Sequence, residues 1–222
     1  RCSALIKTTN ENILIDTSPD LRQQLLRHNI NKIDKVFYSH SHADQTHGIN
    51  DLRSFFIKNK KQIEIFADKV TAKNLKKTFS YCFDSTSSEY PAILKMNNLK
   101  DKLFIKNRNN KLMIKPISVQ HGRVKSICYI IDKKLAYISD VSEIFEKDYK
   151  YFKELKYLII DCLWYDHHPS HLNLEKTLYL IKKFKPKKAI LTNLSHILDY
   201  KALKKLLPKN TIPAYDGLSV NL

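Results

Sequence analysis

Glycine is nearly absent, with three among 222 residues, at Gly48, Gly122 and Gly217. A phosphate-cradling loop or a dinucleotide fingerprint needs clustered glycines at fixed spacing, so neither chemistry is encoded here. Cysteine is sparse as well: Cys2, Cys82, Cys128 and Cys162 lie far apart and form no C-x-x-C pair. That pattern argues against a disulfide framework and a cysteine zinc site, and for free thiols in a reducing compartment, the cytoplasm. No apolar run approaches the roughly 18–20 residues of a membrane span, so no membrane partner is expected. The longest apolar stretches, Tyr157–Ile160 and Ala189–Leu191, have the length of buried strands. No Ser-His-Asp arrangement is visible. Arginine is also scarce: of 39 basic residues six are Arg and the rest are Lys.

What is present is an ordinary globular composition, 43% hydrophobic and 27% charged, long enough to bury a core without disulfide or metal staples. The net charge of +17 invites a phosphate-bearing or nucleic-acid partner. A second reading stands beside it. The lysines are scattered in pairs such as Lys60-Lys61, Lys76-Lys77 and Lys182-Lys183, as on a solvated surface drawn from an AT-rich coding composition.

Strand and helix signals alternate. Ala4–Lys7 and Asn12–Asp16 read as a hairpin, and Ser18-Pro19 reads as an N-cap and first helical position. Lys35–Ser39 is a short β-rich run, followed by a helix from about Gly48 to Lys58. Ile63–Phe66 reads as a strand, with Asp68 capping a helix towards Phe79. The Ser-rich stretch Ser80–Tyr90 reads as a loop or lid. Strands are expected at Leu103–Ile105, Leu112–Val119, Ser126–Ile131 and Leu135–Ser139, and a helix around Asp148–Leu155. Tyr157–Ile160 and Lys188–Thr192 read as buried strands flanking a helix capped by Asn173. A short helix near Tyr200–Leu207 and a β segment at Ile212–Val220 close the chain. Strands in blocks, punctuated by helices, predict an α/β protein with two helix-covered sheets rather than one doubly wound sheet.

The most informative stretch is His40-Ser41-His42-Ala43-Asp44-Gln45-Thr46-His47-Gly48. Two histidines two residues apart leave a strand on one side, and a carboxylate follows near a helix start. Neutral imidazoles and a carboxylate converging from one loop make a divalent-metal site. The bland alternative is a polar loop whose histidines cap the next helix. Later, His121 ends the strand Leu112–Val119 before Gly122, and Asp140 follows Leu135–Ser139. Taken singly each is an ordinary turn residue, and Asp140 could cap a helix with Glu143. Their order is what carries meaning: H-x-H-x-D, then a strand-end His, then a strand-end Asp.

In these motifs the sequence resembles the metallo-β-lactamase fold superfamily. It is most similar to the branch of the phosphoribosyl cyclic phosphate phosphodiesterase and ribonuclease Z-like enzymes. Branch-level likeness lies in Gly48-Ile49-Asn50-Asp51-Leu52-Arg53, His168-Pro169-Ser170-His171-Leu172 and Leu191-Thr192-Asn193-Leu194-Ser195-His196. The resemblance implies an αββα sandwich over residues 1–222 as a single domain. The opening, Arg1-Cys2-Ser3-Ala4-Leu5-Ile6, is similar to the family's second strand, so the domain is read as N-terminally incomplete.

The resemblance further implies that His40, His42 and His121 hold a first metal, that Asp140 bridges to a second, and that Asp44 belongs to that second site. Gln45 stands where the family has His, and Asn193 stands where the branch has the His of an L-T-H motif. Neutral amides are weak ligands, better suited to Mn²⁺ than Zn²⁺, so one tight zinc or manganese ion is expected, with Gln45 and Asn193 as weak second-site ligands. His171 matches the region of the branch's catalytic His, and Asp44 would orient water or take its proton. Asp161 is expected to orient a ligand imidazole, and His168 and His196 to lie near ligands or substrate. Arg53 and Arg123 are candidates for substrate phosphate. The expected activity is metal-dependent hydrolysis of a small cyclic phosphate or nucleotide, by hydroxide formed at the metal. RNA processing and a weakly active or non-catalytic metal-binding protein are the alternatives, and a homodimer is open.

Overall fold

The computed structural model describes residues 2–85, 90–108 and 110–222, and the chain forms two compact units. The first comprises Arg1–Lys100 with Lys106–Lys111, and the second Asp101–Ile105 with Leu112–Leu222. Among the described residues there are two sheets and seven α-helices, the α/β class expected.

The first unit opens with β1 (Ala4–Lys7) and β2 (Asn12–Ile15), paired antiparallel with Ala4 opposite Ile15. The Thr8 hydroxyl fixes their turn by accepting the backbone N–H of Glu11 at 2.9 Å. Then come α1 (Leu21–Arg27), β3 (Lys35–Phe37), α2 (Ala43–Thr46), a 3₁₀ turn (Ile49–Leu52) and α3 (Arg53–Asn59). The unit continues with β4 (Ile63–Ala67), α4 (Lys69–Thr78), α5 (Ser80–Phe83) and β5 (Leu94–Asn98). The sheet order is β1-β2-β3-β4-β5, parallel from β2 onward. Asp68 caps α4 as its position promised, accepting the Thr71 N–H at 2.7 Å. The apolar sides of sheet and helices meet in a core of Leu14, Leu21, Val36, Tyr38, Ile49, Leu52, Ile65 and Leu75.

The second sheet runs β12-β11-β10-β9-β8-β7-β6. Its strands are β6 (Leu103–Asn107), β7 (Asn110–His121), β8 (Val124–Ile131), β9 (Leu135–Ile138), β10 (Tyr157–Asp161), β11 (Lys188–Thr192) and β12 (Thr211–Pro213). A 3₁₀ helix (Glu146–Tyr151) precedes β10, α6 (Leu174–Phe184) joins β10 to β11, and α7 (Tyr200–Leu206) precedes β12. Asn173 caps α6 by accepting the Lys176 N–H at 3.0 Å. Val119, Phe152, Leu158, Ile160, Phe184, Leu191 and Leu203 build the core of this unit, with Phe152 and Phe184 stacked at 5.5 Å. Strands β9, β10 and β11 are mutually parallel, with Ile138 beside Ile160 and Asp161 beside Thr192. Their C-terminal ends therefore open on the same edge, where ligands gather in parallel sheets.

Several local expectations differ from the fold. Helix α1 starts at Leu21 behind Asp20, because Ser18 forms a turn, its hydroxyl accepting the Asp20 N–H at 3.2 Å. The helix expected around Asp148–Leu155 is the 3₁₀ segment Glu146–Tyr151, and the terminal β segment shrinks to Thr211–Pro213. Strand β5, Leu-Lys-Met-Asn-Asn, gives little β signal and forms by parallel pairing to β4. Ser80–Phe83, read as part of a loop or lid, is helical, and positions 86–89 of that stretch lie outside the described residues.

Candidate metal centre

In the first unit, parallel pairing of β2 with β3 brings two strand ends together. Asp16, just past β2, is fully buried with φ 62°, and its Oδ1 accepts the Ser39 backbone N–H at 2.7 Å. This holds the turn that launches His40. The buried His40 ring lies between the Ser39 hydroxyl, 3.0 Å from its Nδ1, and His42, whose Nδ1 is 2.9 Å from its Nε2. The two imidazoles meet edge to face at 4.4 Å, so the side-by-side projection read from the sequence is what forms. Asp44 and Gln45 follow in α2, where the Gln45 amide donates to Asp44 Oδ2 at 3.2 Å. The end of this loop requires Gly48: a Cβ there would lie 2.0 Å from the Ser18 carbonyl oxygen and 2.8 Å from Leu21 Cβ.

In the second unit, His121 ends β7 and is buried. Its Nδ1 lies 2.6 Å from the Ser170 carbonyl oxygen. A carbonyl only accepts, so Nδ1 carries the proton and Nε2 keeps its lone pair for an ion. Asp140, buried beyond β9, and His171 face His121, and one ligand atom from each of the three lies within 4.8 Å of the others. His171 is anchored from behind by Asp161 at the end of β10, with Nδ1 to Oδ2 at 2.8 Å. The pKa of Asp161 is raised, because burial outweighs the opposing pull of His171, the Val141 backbone N–H and the Asn193 amide. Asn193, at φ 59° beyond β11, donates its amide to the Ser139 carbonyl at 3.1 Å, Asp161 Oδ1 at 3.3 Å and Asp140 Oδ1 at 3.4 Å. Four strand ends and one loop thus converge on a small buried volume rich in carboxylate.

The donor set fits a divalent ion. It combines the His121 imidazole, whose Nδ1 is already engaged, with the buried carboxylate of Asp140 and the neighbouring His171. Asp161 contacts an imidazole of this group, His171. The amide end of Asn193, and likewise that of Gln45, is turned towards carboxylates as a donor and offsets their charge. His168 sits beside the group, its ring 5.1 Å from that of His171, with a pKa lowered by burial and then by the neighbouring His171 and His167. His196 is exposed in the loop after β11, His47 packs edge-on against Phe79 at 5.7 Å, Arg53 opens α3, and Arg123 is exposed in the turn after Gly122. Sequence reasoning missed Asp16 and the Ser170 carbonyl. Asp16 carried the same signal as Asp140 and Asp161, a carboxylate directly after an apolar strand. The Ser170 carbonyl, being backbone, carries none.

The sequence model of a β-lactamase superfamily domain matches residues 11–194. An octanoyltransferase of Porphyromonas gingivalis is 29% identical over 221 residues, covering 98% of this chain, and the chain spans 44% of that protein's length. The crystal structure of a diphosphatase from the PhnP family superposes with a TM-score of 0.89 at 29% identity, covering all of this chain and 84% of that one. Human tRNase Z, short form, shares the fold at a TM-score of 0.74 and 16% identity, with 99% of this chain and 91% of that chain covered. No helix among the described residues is long and apolar enough to cross a membrane. The resemblance read from the H-x-H-x-D motif therefore holds along most of the chain, which belongs to the β-lactamase superfamily and has the fold of the metallo-β-lactamases.

Proposed function

We propose that this protein is a metal-dependent phosphodiesterase acting on a small cyclic phosphate or nucleotide. The observation that supports it most is the His121, Asp140 and His171 group, with Ser170 and Asp161 fixing its two imidazoles from behind. The motif of the first unit is the family's ligand motif, and we assign His40, His42 and Asp44 to ion binding on that ground. A divalent ion, zinc or manganese, supplies Lewis acidity for a phosphoryl oxygen and lowers the pKa of water towards ~7. Asp44 is assigned to orient the attacking water and take its proton. Asp161 keeps the proton of His171 on Nδ1 and stabilises its imidazolium, which suits His171 to neutralise or protonate a leaving oxygen. The neutral amides of Gln45 and Asn193 replace imidazoles, so one ion per chain is held tightly.

The net charge of +17 favours RNA as the second reading. The name octanoyltransferase belongs to a protein of which the match takes in 44%, so acyl transfer is an arm of the test. Purified protein is assayed on 2′,3′-cyclic AMP, a structured tRNA and an octanoyl thioester, before and after chelation. The expected outcome is cyclic nucleotide hydrolysis that is lost on chelation and returns with Mn²⁺ or Zn²⁺. Elemental analysis after dialysis should find close to one ion per chain, rising towards two in the double variant Gln45→His with Asn193→His. Hydrolysis that survives both chelation and Asp140→Ala would overturn the reading.

A further inference from the structure

Beside the ligand group lies a row of rings that hydrolysis alone does not need. The His121 and His171 rings are 4.7 Å apart, His168 follows at 5.1 Å from His171, and Trp164 at 6.1 Å from His168 with the last two planes inclined by 23°. Trp164 is the chain's single tryptophan and is half-buried, as is His168. The backbone of Trp164 and the ring of His168 are each fixed in place. The Trp164 carbonyl accepts the Leu174 N–H at 2.8 Å, and Trp164 bridges Asn173, tying it to the start of α6. His168 Nδ1 faces the Ser170 backbone N–H at 3.3 Å and the Ser170 hydroxyl at 3.2 Å. A backbone N–H only donates, so Nδ1 accepts and the imidazole is the neutral tautomer with its proton on Nε2. The carbonyl of the same Ser170 orients His121, so one residue sets both the ligand and the outer ring.

We propose that Trp164 and His168 form a stacking subsite for the nucleobase of the substrate, placing the attached phosphate at the His121–Asp140–His171 group. The inference rests on the phosphodiesterase reading and narrows its substrate class from any small phosphodiester to nucleotides. Two nearly parallel, partly exposed, uncharged rings suit a flat heteroaromatic group, which gains from face contact and from the Nε2–H donor. A sugar phosphate without a base leaves both rings unused. Because stacking tolerates every base, the subsite selects for a base rather than for one particular base.

The single tryptophan makes the test direct. Purified protein is titrated with AMP and with ribose 5-phosphate while indole emission is followed. AMP should change the emission saturably and bind about tenfold tighter than ribose 5-phosphate, within the range expected for stacking one base. His168→Ala, which keeps the reporter, should narrow that ratio. Trp164→Phe, which keeps a ring, should preserve more of it than Trp164→Ala, read by competition or calorimetry. Equal affinities with unchanged emission, alongside continued hydrolysis of 2′,3′-cyclic AMP, would overturn the stacking subsite and leave the phosphodiesterase standing. Failure of both ligands to bind, together with no metal-dependent hydrolysis, would overturn the two readings together.

Discussion

His40 and His42 come from one short stretch behind β3, whereas His121, Asp140, Asp161, His171 and Asn193 come from four strand ends and a loop. The first pair is organised by local geometry, with the two rings 2.9 Å apart between Nε2 and Nδ1 and a single carboxylate, Asp16, holding the turn. The second group exists only because β9, β10 and β11 run parallel and end on one edge. A contiguous motif survives small errors of packing, because its members move together. A convergent cluster depends on every strand register at once. The second group is also the more heavily buttressed, with a carbonyl, a carboxylate and an amide behind its side chains, and that is where substitution should be most costly.

The largest effect should come from His121→Ala. It removes an oriented imidazole, and loss of a mere supporting partner already costs 10–100-fold in ion affinity, so retained metal should fall by at least about 100-fold. Stability linked to the ion falls with it, by about 2.7 kcal/mol at a concentration of 100 Kd, read as the melting shift between metal-loaded and chelated protein. His40→Ala should lower ion content too. Metal content and melting temperature equal to wild type in both variants would break the assignment of the two clusters.

Gly48→Ala and Gly122→Ala compare the loops directly. At Gly48 the new Cβ meets backbone, 2.0 Å from the Ser18 carbonyl, so α1 or α2 must shift and about 3 kcal/mol of stability should be lost. At Gly122, with φ 57°, the strain is about 1–2 kcal/mol, but the new Cβ lies 2.8 Å from Ser170 Cβ and pushes the residue that orients His121. Gly48→Ala should therefore show mainly in chemical denaturation, and Gly122→Ala in metal affinity relative to its smaller loss of stability.

Asp161→Asn keeps the shape and removes the charge behind His171, and should lower turnover of 2′,3′-cyclic AMP by about 100-fold with the fold intact by circular dichroism. An unchanged turnover would show that His171 needs no orientation. The smallest effect lies away from both clusters, at Lys35. Burial lowers its pKa, but Glu11 and Glu64 more than compensate and leave it raised above 10.5. A raised folded-state pKa means that its stabilisation is full below 10.5 and is lost as pH climbs through the higher value. Lys35→Met should cost about 1 kcal/mol at pH 7, and the gap from wild type should close in alkaline denaturation.

Much of this was legible residue by residue. Asp68 and Asn173 announced their helices because a cap acts over three residues, and Lys188–Thr192 announced its strand because a buried parallel strand is an unbroken apolar run. The 3₁₀ turn at Glu146–Tyr151 and strand β5 were not legible, since one depends on packing and the other on its neighbour in the sheet. His40, His42, Asp44, His121 and Asp140 could be singled out because ligand types after strands are unusual and the family's order links them.

The sequence by itself determined the two-sheet α/β class and singled out the candidate ligand positions, because hydrophobic period, caps and a contiguous H-x-H-x-D motif are short-range properties of the chain. Only the tertiary structure decided that Asp161 backs His171, that the Ser170 carbonyl sets the His121 tautomer, that the Asn193 amide faces carboxylates, and that Trp164 continues a row of rings. The first three of those relations join residues from different strand ends and loops, and such partners become neighbours only when parallel pairing fixes which ends share an edge.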